Sequence, residues 1–350
     1  MAHEARYYEK LAEGMVRCRL CPHCCRIRPG EVGICRARKN EDGTLVSLIY
    51  GLVTSVAVDP VEKKPLYHFY PGRGILSLGT WGCNFSCPFC QNWQISQRQV
   101  PTTAFPPEEA VRQAKATGSV GIAYTYNEPS IWFEYVFDTA TAAREAGLKN
   151  VLVTNGYISP EPLEELLPVI DALNIDIKSM DREFYVKFCG GRLDPVLETT
   201  RRAARSALVE VTHLVIPGEN DSDDQFRRLA DWLAEEVGPE VPTHLSAYFP
   251  HYRMEAPPTP VETLERAYGI LRRRLTYVYL GNVLAEEGSD TRCPHCGALA
   301  VRRVGFRATN HLASGARCPQ CSRRLPIVMV GNDPLTPETS EVTHTGGAST

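Results

Sequence analysis

The chain has 350 residues, of which 43% are hydrophobic and 23% are charged, and its formal net charge is -3. This composition is typical of a soluble globular protein, and the length suits one large domain with small attachments. The sequence contains no run of about 18 apolar residues, which argues against a transmembrane helix. The first residues lack the apolar stretch of a signal peptide. We therefore expect a cytoplasmic protein with no membrane partner, and the near-neutral charge gives no reason to expect nucleic acid as a general partner.

Thirteen cysteines are the unusual feature of the composition. Most of them stand in close groups, and in a reducing cytoplasm grouped cysteines are metal ligands more often than disulfides. Cys189 is the exception, because a lone cysteine in an apolar segment is usually a small buried side chain.

The cysteine groups divide the chain into four zones. We assign residues 1–72 to a cysteine-rich N-terminal segment, 73–283 to a central domain, 284–332 to a second cysteine-rich module and 333–350 to a tail. The tail is rich in Thr, Ser, Gly and Pro. It has too few apolar residues to offset the entropy of ordering, so we expect it to be disordered.

The central domain alternates short apolar segments with amphipathic ones. The apolar segments predict strands over 74–81, 120–126, 150–155, 172–178, 209–217 and 244–250. The amphipathic segments predict helices over 106–117, 131–146, 160–170, 194–207, 222–236 and 260–273. Apolar strands that alternate with helices indicate a parallel sheet. Polar motifs follow successive strands, as they do in a TIM barrel, so we predict an α/β fold with a partial (β/α)6 TIM-like barrel.

Cys83, Cys87 and Cys90 lie on one predicted loop after the first of these strands, with the spacing C-x3-C-x2-C. Thiolates are the natural ligands of iron–sulfur clusters. Three protein ligands leave one iron of a [4Fe–4S] cube open for another molecule, whereas structural zinc normally takes four protein ligands. The spacing favours the iron–sulfur cluster, and zinc with a fourth ligand from another zone stays open as the alternative.

This spacing, with Phe89 before the last cysteine, resembles the signature of the radical S-adenosylmethionine (SAM) superfamily. The resemblance implies that the open iron binds SAM and that the reduced cluster cleaves it. The resulting 5′-deoxyadenosyl radical would abstract hydrogen from a substrate. The resemblance also implies the radical SAM type of partial barrel and a reducing electron donor of the flavodoxin or ferredoxin kind.

The middle zone is similar to pyruvate formate-lyase activating enzymes, which act on glycyl radical proteins. Three motifs resemble the radical SAM component of the AmmeMemoRadiSam system more closely: CxLCPHxCxI near the N-terminus, CNFSCPFCQNWQIS in the centre, and two CPxC pairs near the C-terminus. The resemblance implies companion proteins as partners or substrates, and hydrogen abstraction from a macromolecule.

Residues after the second and third strands are implied cofactor contacts. Glu128 stands where the superfamily has a Gly-Gly-Glu element that binds the SAM amino group, with Tyr126 and Asn127 in place of the glycines. Asn155 matches an Asn-Gly element, but Val153 replaces an aspartate that helps to bind a monovalent cation in related activases. Whether that cation site is present stays open. The alternatives are a solvated helix cap for Glu128 and a simple turn for Asn155.

Residues after the fourth and fifth strands are also implied by the resemblance to contact SAM. Asp176 and Lys178 resemble an Asp-x-Lys motif, which implies contacts to the carboxylate and ribose of SAM. A structural ion pair is the alternative. Asn220, followed by Asp221, resembles a PGxND loop that contacts SAM, although both residues are equally suited to cap the next helix.

The C-terminal module carries a zinc-ribbon pattern formed by Cys293, Cys296, Cys318 and Cys321. Two CPxC pairs form a four-ligand zinc signal, and a segment of this size needs a metal for stability. A second iron–sulfur cluster is the alternative. Six arginines and no acidic residue lie between Cys293 and Asn332. We favour a solvated surface, with contact to RNA or to an acidic protein as the alternative.

The N-terminal segment carries a second four-cysteine pattern, formed by Cys18, Cys21, Cys25 and Cys35, with Cys24 as an extra cysteine. Four thiolates at this spacing bind either zinc or an auxiliary cluster, and the short loop slightly favours zinc.

Two hypotheses from different classes follow. The leading one is a radical SAM enzyme, including the variant that activates a glycyl radical protein. The other is a zinc-binding scaffold without enzymatic activity, which would contain no acid-labile sulfide and would leave the polar motifs after the strands unexplained.

Overall fold

The computed structural model describes residues 3–283 and 287–329. The predicted disordered tail, 333–350, lies outside the described residues, as does the end of the predicted C-terminal module. The strands are β1 (His3–Glu4), β2 (Tyr8–Lys10), β3 (Val16–Cys18), β4 (Arg26–Ile27), β5 (Arg38–Glu41), β6 (Thr44–Ser47), β7 (Leu52–Val53), β8 (Ser55–Pro60), β9 (Gly74–Gly79), β10 (Thr103–Ala104), β11 (Gly121–Tyr124), β12 (Lys149–Thr154), β13 (Ala172–Asp176), β14 (Leu208–Val215), β15 (Thr243–Ala247), β16 (Val278–Gly281), β17 (Thr291–Arg292), β18 (Leu299–Val304) and β19 (Arg307–Asn310). The α-helices are α1 (Trp93–Ser96), α2 (Pro107–Ala116), α3 (Phe133–Glu145), α4 (Pro160–Leu166), α5 (Arg182–Phe184), α6 (Leu193–Ala203), α7 (Asp223–Glu236) and α8 (Val261–Leu271).

Eight strands form one large mixed sheet in the order β16-β15-β14-β13-β12-β11-β9-β8. Neighbours from β9 to β16 pair in parallel, and β8 pairs antiparallel with β9. All six predicted strands and all six predicted helices are present, with ends shifted by a few residues. The predicted fold class, an α/β fold with a partial TIM-like barrel, is therefore confirmed.

Two strands of this sheet escaped the sequence analysis. β16 adds a seventh parallel strand but is only four residues long. β8 lies on the open edge, and Ala57 and Val58 are exposed, so its sequence lacks the continuous burial of the inner strands. β8 also belongs to the zone that we assigned to the N-terminal segment, whose boundary at residue 72 stays a prediction.

The barrel strands are buried on both faces. All four residues of β11 are buried, and so are Ile75 to Gly79 of β9, so these stretches are covered on both faces. Asn174 belongs to this interior and donates to the carbonyl of Pro65 at 2.8 Å while accepting from Thr212 at 2.9 Å. Because the inner strands are parallel, their carboxyl ends lie at one common edge of the sheet, and the loops that follow these ends carry the candidate site.

The N-terminal segment forms two small antiparallel sheets, β1-β6-β5 and β2-β3-β4. Its apolar residues Val16, Ile27 and Leu45 belong to the same hydrophobic cluster as the barrel core. A buried ion pair joins Arg38 of β5 to Glu134 of α3. The segment is therefore packed onto the barrel as part of one core.

The C-terminal module forms the antiparallel sheet β17-β18-β19 and has an apolar cluster of its own, which includes Ala300, Val301 and Leu325. Val328 attaches it to the rest of the chain, because its amide donates to the carbonyl of His68 at 2.8 Å and its carbonyl accepts from Tyr70 at 2.7 Å. Within residues 3–283 and 287–329, no helix combines the length and apolar character that crossing a membrane requires.

Candidate functional site

The cysteine loop begins after β9, at the edge of the sheet where the parallel strands end. Gly82 precedes it with a φ of +92°, and a Cβ at this position would lie 2.7 Å from the carbonyl oxygen of Cys35. Only glycine fits both the backbone angle and this close approach. Within the loop, the amide of Cys90 donates to the carbonyl of Cys87 at 3.2 Å, and the Cys90 thiol lies 3.1 Å from the Ser96 hydroxyl in α1.

The three thiols of this loop do not converge as the ligands of a single ion do. In the described part of the chain, the only set of three or more His, Cys, Asp or Glu ligand atoms that all lie within 4.8 Å of one another is in the C-terminal module. A tetrahedral zinc with bonds of about 2.3 Å holds its sulfurs about 3.8 Å apart. A cube instead binds each thiolate through a different iron, which spreads the ligands. The donor set of Cys83, Cys87 and Cys90 therefore fits an iron–sulfur cluster better than one ion.

The environment of these thiols favours their neutral form before a metal binds. Burial raises the pKa of Cys83, and the nearby carboxylate of Glu128 adds to the effect. A hydrogen bond with Cys189 raises the pKa of Cys87, and burial acts in the same direction. Because metal ligands must be thiolates, cluster binding to this loop must release protons.

Glu128 lies at the centre of a buried hydrogen-bond network. Its side chain is almost completely buried and accepts from the amide of Ser130 at 2.9 Å, the hydroxyl of Thr154 at 2.7 Å and the amide of Asn155 at 2.8 Å. Burial raises the pKa of Glu128, and these hydrogen bonds oppose the rise. Glu128 caps the short helix Pro129–Trp132, as the alternative interpretation expected, but the cap is buried and not solvated.

Asn155 connects this network to the cysteine loop. Its side-chain amide donates to Asn84 Oδ1 at 2.9 Å and lies 3.7 Å from the sulfur of Cys83. Its side-chain oxygen accepts from the amide of Tyr157 at 2.9 Å, so the residue also forms the predicted turn. The structure thus brings Glu128, Asn155 and Cys83 together.

Tyr126 occupies a left-handed backbone position, with a φ of +71°, where the superfamily motif has glycine. Its hydroxyl donates to the carboxylate of Asp59, and the ammonium of Lys64 lies 4.6 Å from the centre of its ring. Asn127 accepts from the amide of Thr80 at 3.0 Å and donates to the carbonyl of Gly82 at 3.0 Å. Asp59 and Lys64 contact this substituted motif. The sequence did not predict them as its partners, because both lie in the segment 1–72 that we assigned to the N-terminal region.

Asp176 and Lys178 face the same side, as strand alternation predicted, and their charged atoms lie 3.0 Å apart. Burial acts to lower the pKa of Lys178, but the charges of Asp176, Cys87 and Cys189 and the hydrogen bond to Asp176 together outweigh burial and raise it well above its ordinary value. The Lys178 ammonium lies 5.9 Å from the centre of the Phe89 ring, which places the pair beside the cysteine loop.

Asn220 is almost completely buried, and its amide group is fully occupied by the backbone. It donates to the carbonyls of Lys178 at 2.7 Å and Leu214 at 2.8 Å and accepts from the amide of Ile216 at 2.6 Å. The cap of α7 is Ser222, not Asn220 or Asp221. Asn220 therefore fixes the backbone around Lys178.

Cys189 is fully buried, as predicted, but it is not isolated. It ends the π-helix Tyr185–Cys189, its carbonyl accepts from the amide of Ser86 at 3.0 Å, and its thiol hydrogen-bonds to Cys87. Because Cys189 lies 102 positions after Cys87 in the chain, the spacing of the cysteines in the sequence cannot reveal this contact.

The four predicted cysteines of the C-terminal module do converge. The sulfurs of Cys293 and Cys321 lie 3.6 Å apart, those of Cys296 and Cys318 lie 3.5 Å apart, and all four lie within 4.8 Å of one another. This arrangement suits one tetrahedral metal ion.

The four predicted cysteines of the N-terminal segment lie around a cavity. Cys18, Cys21, Cys25 and Cys35 all line it, together with Arg38. The extra cysteine, Cys24, is exposed and does not line it.

The cysteine loop lies inside the part of the chain that matches a known protein family. The sequence profile of the Radical SAM superfamily matches residues 79–233. An uncharacterized protein of Methanocaldococcus jannaschii is 45% identical over 334 residues, which cover 93% of this chain and 99% of that protein. The pyruvate formate-lyase 1-activating enzyme of Escherichia coli K12 is 27% identical over 211 residues, which cover 55% of this chain and 86% of the enzyme. A crystal structure of a domain of pyruvate-formate lyase-activating enzyme from Bacteroides vulgatus ATCC 8482 shows 23% identity and a TM-score of 0.42, covering 46% of this chain and 99% of that domain. Residues 79–233 of this chain form a domain of the Radical SAM superfamily.

Proposed function

We propose that this protein is a radical SAM enzyme in which Cys83, Cys87 and Cys90 hold a [4Fe–4S] cluster. When bound and reduced, such a cluster supplies the electron that cleaves SAM to a 5′-deoxyadenosyl radical. The observation that carries the proposal is the three-thiol loop after β9, whose sulfurs are spread too widely for one ion. Three protein ligands leave one corner of a cube for SAM.

We assign the positioning of SAM to residues around this loop. The ammonium of Lys178 is suited to hold the SAM carboxylate, and Asp176 orients it from 3.0 Å. The side-chain amide of Asn155, 3.7 Å from the Cys83 sulfur, is suited to donate to SAM or to a cluster sulfur.

Glu128 and Asn220 act through their neighbours in this proposal. Glu128 already accepts three hydrogen bonds, so it orients Asn155 while its negative charge favours the SAM amino group. Asn220 fixes the carbonyl of Lys178 and acts as a positioning residue.

The other parts of the chain complete the proposal. The converged ribbon cysteines fit zinc, which would stabilise the C-terminal module. A low-potential, one-electron carrier of the flavodoxin or ferredoxin kind would supply the reducing equivalent. The motifs shared with the AmmeMemoRadiSam system make companion proteins the first substrates and partners to test.

Anaerobic reconstitution tests the proposal directly. We expect a brown protein that releases 5′-deoxyadenosine from SAM when dithionite is added. The Cys83→Ala variant should lose this activity to the background, because one ligand of the cube is gone. Cys24→Ser is the matched control, since Cys24 is exposed and lies outside both the loop and the N-terminal cavity. SAM cleavage that survives Cys83→Ala would contradict the proposal.

A second candidate is the activation of a glycyl radical protein, favoured by the match to the pyruvate formate-lyase activating enzyme of E. coli. Its reaction would be hydrogen abstraction from a glycine of a partner protein. Deuterium transfer from a partner labelled with deuterated glycine into 5′-deoxyadenosine would support it. Absence of transfer from a partner that stimulates SAM cleavage would exclude it.

A further inference from the structure

The N-terminal cysteines form a cavity that the radical SAM reaction does not use. Cys18 ends β3, and its amide donates to the carbonyl of Cys25 at 2.9 Å, which closes the loop between them. Cys18, Cys21, Cys25 and Cys35 line the cavity inside this fold. The loop is thus built to present four thiols to one enclosed space.

The spread of these thiols differs from that of the ribbon cysteines. The ribbon sulfurs pair at 3.5 and 3.6 Å, close to the roughly 3.8 Å that a tetrahedral zinc imposes. No three of the N-terminal sulfurs lie within 4.8 Å of one another, although all four border the same cavity. The ligand that fits this spread is a cluster of several atoms, such as an iron–sulfur cube, which keeps its thiolates farther apart than a single ion does.

Arg38 gives a second reason for an anionic, sulfur-rich ligand. It lines the cavity and is about 1% exposed. Two of its nitrogens are used by the carbonyl of Arg6 and the carboxylate of Glu134, whereas its Nε atom has no hydrogen-bond partner among the described residues. Buried donors without a partner are uncommon, and N–H groups directed at cluster sulfurs tune iron–sulfur sites.

The cavity is next to the radical SAM loop. The carbonyl of Cys35 approaches Gly82 so closely that a Cβ there would lie 2.7 Å away, and Gly82 precedes Cys83. The ring of His23, between Cys21 and Cys25, contacts the carbonyl of Asn84 at 2.8 Å. Both contacts join the N-terminal loop to the residues on either side of Cys83.

We propose that Cys18, Cys21, Cys25 and Cys35 hold an auxiliary [4Fe–4S] cluster that passes electrons to the cluster on the Cys83 loop. The site stands on its own geometry, while its role as a relay rests on the proposed radical SAM function. A low-potential, one-electron carrier protein reduces the auxiliary cluster by one electron. That electron then moves to the neighbouring cluster and the auxiliary cluster returns to its oxidised state, so no bond is made or broken.

The test is a count of metals in protein prepared anaerobically. Wild type should contain about eight iron and eight sulfide per chain, as two cubes require, together with about one zinc. The triple variant Cys83→Ala, Cys87→Ala, Cys90→Ala should keep about half of the iron and the same zinc. The double variant Cys18→Ala, Cys21→Ala should instead lose the half of the iron that the triple variant keeps. About four iron and two zinc in wild type, with all iron lost from the triple variant, would overturn the inference.

The same variants separate the site from the proposed function. Wild type with four iron that cleaves SAM would keep the proposed function and reject the auxiliary cluster. A triple variant that keeps all of the wild-type iron and still cleaves SAM would reject the proposed function. Should the double variant fail to fold, the wild-type count and the triple variant still decide the site.

Electron paramagnetic resonance tests the relay. In the triple variant, a flavodoxin- or ferredoxin-type carrier should reduce the remaining cluster and produce the signal of a one-electron-reduced cube. A cluster that dithionite reduces and the carrier does not would overturn the relay and leave the site intact.

Discussion

The two four-cysteine modules of this chain contain the same number of thiols and differ in what surrounds them. The ribbon cysteines have an apolar cluster of their own, and their sulfurs converge to 3.5 and 3.6 Å. The N-terminal cysteines Cys18 and Cys21 belong to the barrel's own hydrophobic cluster, and the four thiols stand around a cavity. The difference teaches that spacing in the sequence identifies a candidate group of four thiols, while packing determines how far apart their sulfurs lie.

A buried arginine anchors each module, and the two arginines are partnered differently. Arg38 pairs with Glu134 of α3 beside the N-terminal cavity. Arg303 of the ribbon donates to the carbonyl of Tyr67 at 2.7 Å, and its Nε lies 3.8 Å from the carboxylate of Glu62. The first arginine serves both packing and the cavity, whereas the second only holds the ribbon in place.

Removal of the ribbon ligands should have the largest effect. In the Cys293→Ser, Cys318→Ser variant we expect loss of the zinc and unfolding of the module, because a structural zinc contributes roughly 10 kcal/mol or more to such a fold. Iron content and SAM cleavage should stay close to wild type, since the ribbon contacts Glu62, Tyr67 and His68 before β9, whereas the cysteine loop follows β9. Metal analysis and limited proteolysis check both parts. A parallel loss of iron would show that the two modules are not independent.

Replacing the two anchoring arginines should sharpen the contrast. Arg38→Met leaves the buried carboxylate of Glu134 without its cation, which costs about 3–5 kcal/mol. Arg303→Met should cost less, because Glu62 lies 3.8 Å from Arg303 and keeps its hydrogen bond from the amide of Gly72. Thermal unfolding should show a loss of stability in both variants. Only Arg38→Met should also lower the iron content, because only Arg38 lines a cysteine cavity. Equal iron loss in both variants would mean that general destabilisation, and not a contact with the cluster, is being measured.

Much of the fold could be predicted from the sequence because the barrel strands are buried on both faces. β11, with four consecutive buried residues, left a clear apolar run, and Pro or Ser residues marked the starts of helices such as α4 and α7. β8 left no such signal, since half of it is exposed. A continuous apolar run in the sequence therefore identifies the inner strands of the sheet, whereas an exposed edge strand lacks such a run and is missed.

The sequence predicts the parts of the candidate site that are formed by residues close together in the chain. It does not predict the parts that form only when folding brings distant residues together. The spacing of Cys83, Cys87 and Cys90 pointed to the cluster loop directly. The contacts of Cys189 with Cys87 and of Asp59 with Tyr126 join distant parts of the chain, so local patterns cannot reveal them. The spread of the N-terminal thiols is likewise a property of packing, which the spacing of the cysteines in the sequence cannot reveal.

The smallest expected effect concerns pH and the attachment of the ribbon. His68 contacts the carbonyl of Pro326 at 2.9 Å and the hydroxyl of Tyr279 at 2.7 Å, and burial lowers its pKa to about 4. Glu210, Arg303 and His244 are the charged or titratable groups around it, and Glu210 opposes the decrease. Because the unfolded state binds a proton near pH 6.5 and the folded state does not, stability should fall as the pH drops from 6.5 to 4.

This loss should reach at most about 3.5 kcal/mol, because the pKa of His68 is 6.5 in the unfolded state and about 4 in the folded state and each pKa unit is worth about 1.4 kcal/mol. The ribbon should be released first, because His68 and its neighbour Val328 form the attachment. Limited proteolysis at pH 7 and pH 5 checks this, with cleavage expected in residues 287–329 at the lower pH. His68→Gln cannot take up the proton, so its cleavage should depend less on pH than that of wild type. An unchanged pH dependence in His68→Gln would assign the effect to another group. Iron loss at pH 5 in wild type would show that acid also acts on a cysteine site outside the ribbon.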